Sequence, residues 1–349
     1  NNFINGTFPM SLHRNADIHK IDLQGNDITG SLPSNLFSHA TNLQFVYLQD
    51  NKFTGSIPQS GSAYRCTGNA CNLRDLNLEN NEFSGEIPST LFSNNPNLQS
   101  LRLSQNKLTG TVPTSISRQG DIYRLETLEL SNNILQGQFP AGLDLNVDLA
   151  TIHLNNNDFS GTLPTDIFLL NNIISLDLSH NSMNNTYFGA SMPLDDVLSS
   201  YGNYSSIITL RLNDNNFHGH VPERISIMGQ LKELDLSNND LSSSIPSAWS
   251  TLTDLTSLRL SSNALVGTVP PTLIANNDGL TQIKINDNFF SGDIATAFSN
   301  PSSGLINSLV ELDLSNNRFT GSLAGLASSI GTFTKLNILK LNDQAFVVD

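Results

Sequence analysis

Charged residues are scarce in this chain, and basic residues are the scarcest of them. Only 14% of the 349 residues are charged, with 17 Lys and Arg against 31 Asp and Glu, which gives a formal net charge of −14. An ordinary soluble domain is roughly 25% charged. Because phosphates and anionic lipids are bound by clustered Lys and Arg, this composition disfavours nucleic acid and anionic membrane surfaces as partners.

Long apolar segments are also missing. No stretch approaches the ~20 apolar residues that a membrane-spanning helix needs. The first residues, Asn1–Met10, have neither the basic start nor the apolar centre of a signal peptide. The sequence therefore predicts no transmembrane segment in this chain.

Cysteine occurs only twice, as Cys66 and Cys71, in an insertion at residues 60–72. A zinc site would need about four ligands, and no second Cys or His pair lies nearby in the sequence. Two cysteines around a Gly-Asn turn can close a small loop in an oxidising compartment. The spacing therefore favours a local disulfide.

What the chain does contain is one recurring phrase, Leu-x-Leu-x-x-Asn, commonly followed by x-Leu/Phe-x-Gly-x-Ile-Pro. Successive phrases are often 24 residues apart, as between Asn133, Asn157 and Asn181. Both leucines of a strand point inward and the residue between them points outward. The Asn amide ends the strand and bonds backbone groups of neighbouring coils. This structural ladder comprises Asn26, Asn51, Asn81, Asn106, Asn133, Asn157, Asn181, Asn215, Asn239, Asn263, Asn288 and Asn317, and Gln344 takes the position in the last copy.

This unit resembles the plant-type leucine-rich repeat of receptor-like kinase and receptor-like protein ectodomains and of polygalacturonase-inhibiting proteins. The resemblance covers nearly the whole chain. It implies an α/β repeat fold over residues 1–349, a right-handed solenoid of about 13 coils with a concave parallel sheet and a convex side of 3-10 and irregular segments. The paired-cysteine caps of such arrays are missing, and the chain starts and stops inside a repeat. We therefore expect a fragment of something longer.

The longest interruption of the repeat is the insertion at residues 182–206. The spacing from Asn181 to Asn215 is 34 residues there, and the Gly-x-Ile-Pro phrase is lost. Aromatic residues in a polar insertion are candidates for an interaction hot spot, and the alternative is that they fill a gap in the core. The aromatic candidates are Tyr187, Phe188, Tyr201 and Tyr204.

Three sequons predict N-glycosylation at Asn5, Asn184 and Asn203. Glycans would fit a secreted protein, although random sequons are expected in a chain so rich in Asn, Ser and Thr. A glycan at Asn184 would also shield the insertion from partners.

The outward residue between the two leucines forms a column along the stacked coils. Its charges alternate in sign, most clearly through Asp177, Arg211, Asp235 and Arg259. One interpretation is a self-neutralising ladder, and the other is a mixed-charge platform for a partner. Candidate binding residues of this column are Tyr47, Arg102, His153, Arg211, Arg259 and Lys284.

The sequence predicts no catalysis and no cofactor or metal site, because its seven His lie in different coils or turns. The preferred interpretation is an extracellular or cell-surface recognition module that binds a protein, peptide or polysaccharide on the concave face. A second hypothesis is a structural surface, wall or filament glycoprotein that stacks on further copies of itself. A third is an ice-binding protein, suggested by columns of small hydroxyl and amide groups.

Overall fold

The computed structural model describes residues 3–9, 11–12, 15, 17–40, 42–59, 73–117, 124–163, 167, 170–185 and 206–344. The chain divides into two compact units, Asn1–Ile173 and Ile174–Asp349. Among the described residues, no helix is both long enough and apolar enough to cross a membrane. The prediction of one array over residues 1–349 stays a prediction.

In each unit the Leu-x-Leu phrases form short parallel strands that pair coil to coil, which we call the first sheet. Its strands in the first unit are Lys20–Asp22, Phe45–Tyr47, Asp75–Asn77, Ser100–Arg102, Thr127–Glu129 and Thr151–His153. Its strands in the second unit are Ser175–Asp177, Thr209–Arg211, Glu233–Asp235, Ser257–Arg259, Gln282–Lys284, Glu311–Asp313 and Ile338–Lys340. The predicted fold class, a leucine-rich-repeat solenoid with a parallel sheet, is confirmed.

A second parallel sheet, which the sequence did not predict, is built from the x-Leu/Phe-x-Gly segments. Its strands in the first unit are Asn5–Thr7, Asp27–Gly30, Lys52–Gly55, Glu82–Glu86, Lys107–Gly110, Ile134–Gln138 and Asp158–Thr162. Its strands in the second unit are Ser182–Asn185, Asn216–His220, Asp240–Ser243, Ala264–Gly267, Phe289–Asp293 and Arg318–Thr320. Each of these segments except Asn5–Thr7 buries a single apolar residue, which offers too little alternation to be recognised as a strand from sequence.

Short helices and 3-10 turns follow the strands of the second sheet, in many coils shortly after the Pro of the repeat phrase. The helices are Leu36–His39, Ser89–Ser93, Pro271–Asn276, Ile294–Ala297, Ser303–Ser308 and Leu323–Ile330. The 3-10 turns are Thr114–Ser117, Leu143–Leu145, Glu223–Ile227, Ser247–Thr251. Proline suits these starts, because its fixed φ fits the first turn and its missing N–H is not needed there.

The core lies between the two sheets and the turns, and the repeat fills it with the same residue types in each coil. Leu76 and Leu78 of one Leu-x-Leu phrase are both fully buried, as the alternation predicts. From the second sheet, the rings of Phe53 and Phe83 stack with centroids 6.0 Å apart. Trp249 is fully buried in the second unit, and its indole N–H donates to the carbonyl of Pro222 at 3.1 Å.

The ladder Asn side chains connect successive coils through their amides. The Oδ1 of Asn81 accepts the backbone N–H of Phe53 at 3.0 Å, and its Nδ2 donates to the carbonyl of Leu48 at 2.9 Å. The same Nδ2 also donates within its own coil, to Leu78 at 3.2 Å. Backbone groups that would otherwise lie buried without partners are thereby satisfied.

Gln344 makes the same bonds as the ladder Asn residues. Its Oε1 accepts the N–H of Phe319 at 3.2 Å, and its Nε2 donates to the carbonyl of Leu314 at 2.9 Å. The longer side chain therefore substitutes for Asn at this position.

The residue before each ladder position has a left-handed backbone, a feature the sequence analysis did not identify. Asn80 has φ 52° and Asn238 has φ 53°, for example. Asn and Asp tolerate this conformation better than most residues, and they occupy most of these positions. Part of the Asn content of the chain thus serves the turn and not the ladder.

Candidate binding face

The first sheet turns one side away from the core, and we call this side the strand face. It carries the residue between the two leucines of each strand, the residue before the first leucine and the residue after the second. Parallel pairing aligns these residues in columns, so that Asp75, Ser100 and Thr127 are successive Cα partners. Side chains of adjacent coils therefore lie about 4.8 Å apart along a column.

Three coils of the second unit carry the sequence Asp-Leu-Ser on this face. The aspartates Asp177, Asp235 and Asp313 are only 6%, 5% and 4% exposed. In each case one carboxylate oxygen accepts both the backbone N–H and the hydroxyl of the serine two residues later. The other oxygen faces a cation of the following coil, which balances the buried charge.

Asp313 shows the arrangement most completely. Its Oδ1 accepts Ser315 Oγ at 2.6 Å, and its Oδ2 accepts Lys340 Nζ at 3.0 Å. Although burial acts in the opposite direction, these bonds lower the pKa of Asp313. The hydrogen bond to Asp313 also raises the pKa of Lys340.

Arg211 is held between two coils by three contacts. Its Nη2 and Nε donate to the two carboxylate oxygens of Glu233 at 2.8 and 3.0 Å, and its Nη1 lies 3.4 Å from Asp177 Oδ2. The bidentate bond to Glu233 raises the pKa of Arg211. The alternation of charges predicted Asp235 as a partner, but the longer Glu233 of the neighbouring column takes the shortest bond.

Arg259 and Lys284 repeat this use of the neighbouring column. Arg259 Nε donates to Gln282 Oε1 at 2.6 Å, and its Nη1 lies 3.4 Å from Asp235 Oδ2. Lys284 Nζ pairs with Glu311 Oε1 at 3.0 Å. Burial opposes the change, but hydrogen bonds from Gln282 and Lys284 lower the pKa of Glu311.

The strand face of the first unit is more acidic and less closely paired. Asp75 Oδ2 accepts the hydroxyl of Tyr47 at 3.1 Å. Arg102 reaches Asp75 Oδ1 with Nη1 and Glu129 Oε2 with Nε, and both distances are 3.4 Å. Burial, followed by the charge of Asp75, raises the pKa of Tyr47.

Glu79 lies on the same face, two residues after Asn77. Burial first, and then the carboxylates of Glu129 and Asp50, raise the pKa of Glu79. Arg102 acts in the opposite direction without cancelling them. The first unit therefore presents carboxylates that its own cations do not neutralise.

Some of the remaining predicted site residues belong to the described part of the chain, and others do not. His153 is half-buried on the strand face, where it is the Cα partner of Glu129. Asn5 and Asn184 are exposed on strands of the second sheet. Outside the described residues lie Cys66, Cys71, Tyr187, Phe188, Tyr201, Asn203 and Tyr204. Of the insertion at 182–206, only residues 182–185 and 206 are described.

Residues of the column before the first leucine were missed as site residues. Asp75, Glu233, Gln282 and Glu311 contact the cations that the sequence did identify. Their signal was present, since each acidic or amide residue interrupts a column of Thr and Ser. The predicted pairing considered only the column between the two leucines, whereas side chains of adjacent columns also reach each other diagonally.

In the described part of the chain, no group of three or more His, Cys, Asp and Glu is placed to hold a metal ion. The polar groups of the strand face instead form ion pairs and hydrogen bonds that hold one another in position.

Sequence comparison recognises the repeats individually. A family model described as leucine rich repeat matches residues 205–265. A second model with the same description matches residues 42–62, 72–94, 97–119, 124–145 and 308–329. A comparison with curated proteins finds no match.

Solved structures of plant receptor ectodomains match nearly the whole chain. A TDR receptor structure is 31% identical, with a TM-score of 0.82, and the match covers 98% of this chain and 54% of that one. The Arabidopsis receptor kinase HAESA, in complex with the peptide hormone IDA and the co-receptor SERK1, is 28% identical with a TM-score of 0.74, covering 98% and 56%. The plant peptide hormone receptor RGFR1, in complex with RGF2, is 25% identical with a TM-score of 0.73, covering 98% and 57%.

The chain thus spans a little over half the length of the receptor structures that it matches. The recognised repeats, the parallel first sheet and the Asn ladder agree with these matches. The chain is a leucine-rich-repeat protein, and its repeats are similar to those of plant receptor ectodomains.

Proposed function

We propose that this chain is an extracellular recognition module that binds a peptide, or an extended segment of a protein, on its strand face. The observation that carries the proposal is the match over 98% of the chain to HAESA and RGFR1, two receptors whose structures contain their ligands. The module would bind its ligand without catalysing a reaction. Other parts of any longer protein would transmit the effect of binding.

The geometry of the strand face supports this use. Half-buried Tyr47, Arg102, Arg211 and Arg259 are held by ion pairs and hydrogen bonds before any partner arrives. Side chains that are already ordered lose less conformational entropy on binding. An extended segment that crosses several coils of one unit would meet such groups in succession.

Secretion belongs to the same proposal. The exposed side chains of Asn5 and Asn184 leave room for glycans, and a disulfide between Cys66 and Cys71 would form in the same oxidising environment. Treatment with a glycosidase, followed by mass measurement of material from a secreting host, tests the glycans. An unchanged mass would contradict this part of the proposal.

Selection of random peptides displayed on phage tests the binding face. The immobilised chain should enrich peptides that bind it, and their affinity should depend on the strand face. Thr127→Trp blocks that face at a half-buried position, whereas Thr109→Trp places the same bulk at an exposed position of the second sheet.

We expect Thr127→Trp to weaken the selected peptides by about tenfold or more, equivalent to about 1.4 kcal/mol. Thr109→Trp should leave their affinity nearly unchanged, and circular dichroism should show both variants folded. Failure to enrich any peptide, or equal losses in both variants, would contradict the proposed function.

A further inference from the structure

The strand face of the first unit carries an acidic–aromatic cluster, formed by Phe45, Tyr47, Asp75, Glu79 and Glu129. Its charges act on one another: burial first, and then Glu129, raises the pKa of Glu79, and burial first, and then Asp75, raises the pKa of Tyr47. Asp75 and Glu79 belong to one coil and Glu129 to the second coil after it, with the strand Ser100–Arg102 between them, and all three carboxylates lie on the same side of the first sheet.

The guanidinium of Arg102 contacts two carboxylates of the cluster, those of Asp75 and Glu129. Both of its contacts are long, at 3.4 Å to Asp75 and 3.4 Å to Glu129. Arg211 of the second unit, by comparison, binds the carboxylate of Glu233 in bidentate fashion at 2.8 and 3.0 Å. The cluster therefore keeps acceptor capacity and negative charge that Arg102 does not use.

A buried hydroxyl beside Asp75 provides an independent sign that the cluster lacks a partner. Ser100 is 9% exposed, and its Oγ has no hydrogen-bond partner within the described part of the chain. Leu101 points into the core, so Ser100 and Arg102 on either side of it point to the strand face. The hydroxyl of Ser100 thus faces the cluster, next to its Cα partner Asp75.

The aromatic side of the cluster already receives a cation from the chain itself. The ammonium of Lys20 lies 4.9 Å from the centroid of the Tyr47 ring, and the ring of Phe45 lies 6.4 Å from that of Tyr47. Lys20 is engaged elsewhere by its 2.9 Å ion pair with Asp22. Aromatic faces next to carboxylates are suited to a cationic side chain.

We propose that the acidic–aromatic cluster is the subsite for an arginine or lysine side chain of the bound peptide. The carboxylates of Asp75, Glu79 and Glu129 would accept hydrogen bonds from the incoming cation, and the rings would pack on its stem. A metal ion is disfavoured, because among the described residues no group of three or more possible ligands is placed to hold one. This inference rests on the proposed function and specifies the chemistry of its ligand.

The test uses a peptide selected on the wild-type chain that contains one arginine, beside the same peptide with citrulline, which keeps the shape and removes the charge. Affinities for both peptides are measured on wild type, Asp75→Asn and Glu129→Gln. Glu82→Gln is the matched control, because Glu82 is paired with Lys107 at 2.8 Å on the second sheet.

We expect citrulline to weaken binding to wild type by about tenfold, and Asp75→Asn or Glu129→Gln to weaken the arginine peptide similarly. Citrulline in the peptide combined with either substitution in the chain should cost less binding free energy than the sum of the two separate losses, since both changes remove the same contact. Glu82→Gln should bind like wild type. Glu79→Gln should weaken the arginine peptide while raising the melting temperature, a combination that damage to the fold would not produce.

Selected peptides without enriched Arg or Lys would overturn the subsite and leave the proposed function intact, provided that Thr127→Trp still weakens them. Arginine peptides that bind Asp75→Asn and Glu129→Gln as well as wild type would also overturn it. Failure to select any peptide would overturn both proposals.

Discussion

Glu79 lies half-buried on the strand face, and its surroundings oppose its charge. Burial and the neighbouring carboxylates raise its pKa, so its protonated form is favoured in the folded state relative to the unfolded state. At neutral pH the carboxylate therefore lowers the stability of the fold. As the pH falls and Glu79 takes up a proton, this cost disappears.

Glu79→Gln should raise the free energy of unfolding at pH 7 by an amount typical of partly exposed charges, about 0.2–1 kcal/mol. The gain should shrink as the pH falls towards the unfolded pKa of Glu, about 4.3, and vanish well below it, where the wild-type carboxyl is protonated in both states. Urea unfolding at several pH values measures it. A loss of stability at pH 7 would show that Glu79 makes favourable contacts.

Glu311 provides the opposite case on the same face of the second unit. Hydrogen bonds from Gln282 and Lys284 lower its pKa despite burial, so its contribution is present above the unfolded pKa and is lost as pH falls through the folded one. Glu311→Gln should therefore reduce stability at pH 7 and have little effect in acid. If Glu79→Gln and Glu311→Gln changed the free energy of unfolding at pH 7 in the same direction, the described charge environment would be contradicted.

Ser243 stands where most other coils have glycine, and its φ is 82°. A left-handed backbone costs a residue with a side chain about 1–3 kcal/mol, a strain that glycine does not have. Relief of this strain in Ser243→Gly should stabilise the second unit by roughly 1 kcal/mol. The net gain is smaller by the free energy of the weak hydrogen bond that Ser243 Oγ accepts from Val221 N–H at 3.3 Å.

Gly267→Ser is the matched control, because Gly267 occupies the same position one coil later with φ 81°. A Cβ there would also lie 3.1 Å from that of Ser244, so this change should destabilise. Urea midpoints compare the two variants. A destabilising Ser243→Gly would show that the serine hydroxyl outweighs the strain.

At the scale of the element, each coil combines a Leu-x-Leu phrase with a ladder residue. Three coils of the second unit add the Asp-Leu-Ser sequence, which we call the Asp-Leu-Ser anchor. Asp235 is 5% exposed, accepts two bonds from Ser237 and lies 3.4 Å from Arg259 Nη1. Its charge is therefore tolerated only because these partners surround it.

Asp235→Lys would place a second cation beside Arg259 and leave Ser237 without its acceptor. We expect a loss of about 3 kcal/mol or more, as for breaking other buried ion pairs. Asp240→Lys, at an exposed position of the second sheet in the same coil, should change stability little. An unchanged unfolding midpoint for Asp235→Lys would contradict the anchor.

The sequence predicted the coil as far as its pattern was periodic. Alternation placed Leu76 and Leu78 inside, and the repeated Asn marked the strand end, because both features recur in nearly every copy. The second sheet was missed, since one buried Phe53 between polar neighbours does not show strand periodicity. Ion pairs between neighbouring columns, such as that of Arg211 with Glu233, depend on the length and direction of the side chains, which the repeat pattern of the sequence does not specify.

At the scale of the whole molecule, the repeat identity, the parallel first sheet and the likeness to receptor ectodomains were all predictable from sequence. The aromatic insertion, the cysteine loop and the sequon at Asn203 stay predictions, because they lie outside the described residues. What the structure adds is a difference in electrostatics. The second unit balances the ions of its strand face, whereas the first leaves carboxylates around Asp75 and Glu79 without matching cations.

The central claim is that a peptide binds on the strand face, and photo-crosslinking tests it most directly. A selected peptide carrying a photoreactive residue is irradiated with the chain, and mass spectrometry locates the crosslinked residues. We predict crosslinks on the strand face, for example at Ser100, Thr127 or Thr209. Crosslinks confined to the outward positions of the second sheet, such as Thr54 and Thr109, would contradict the account.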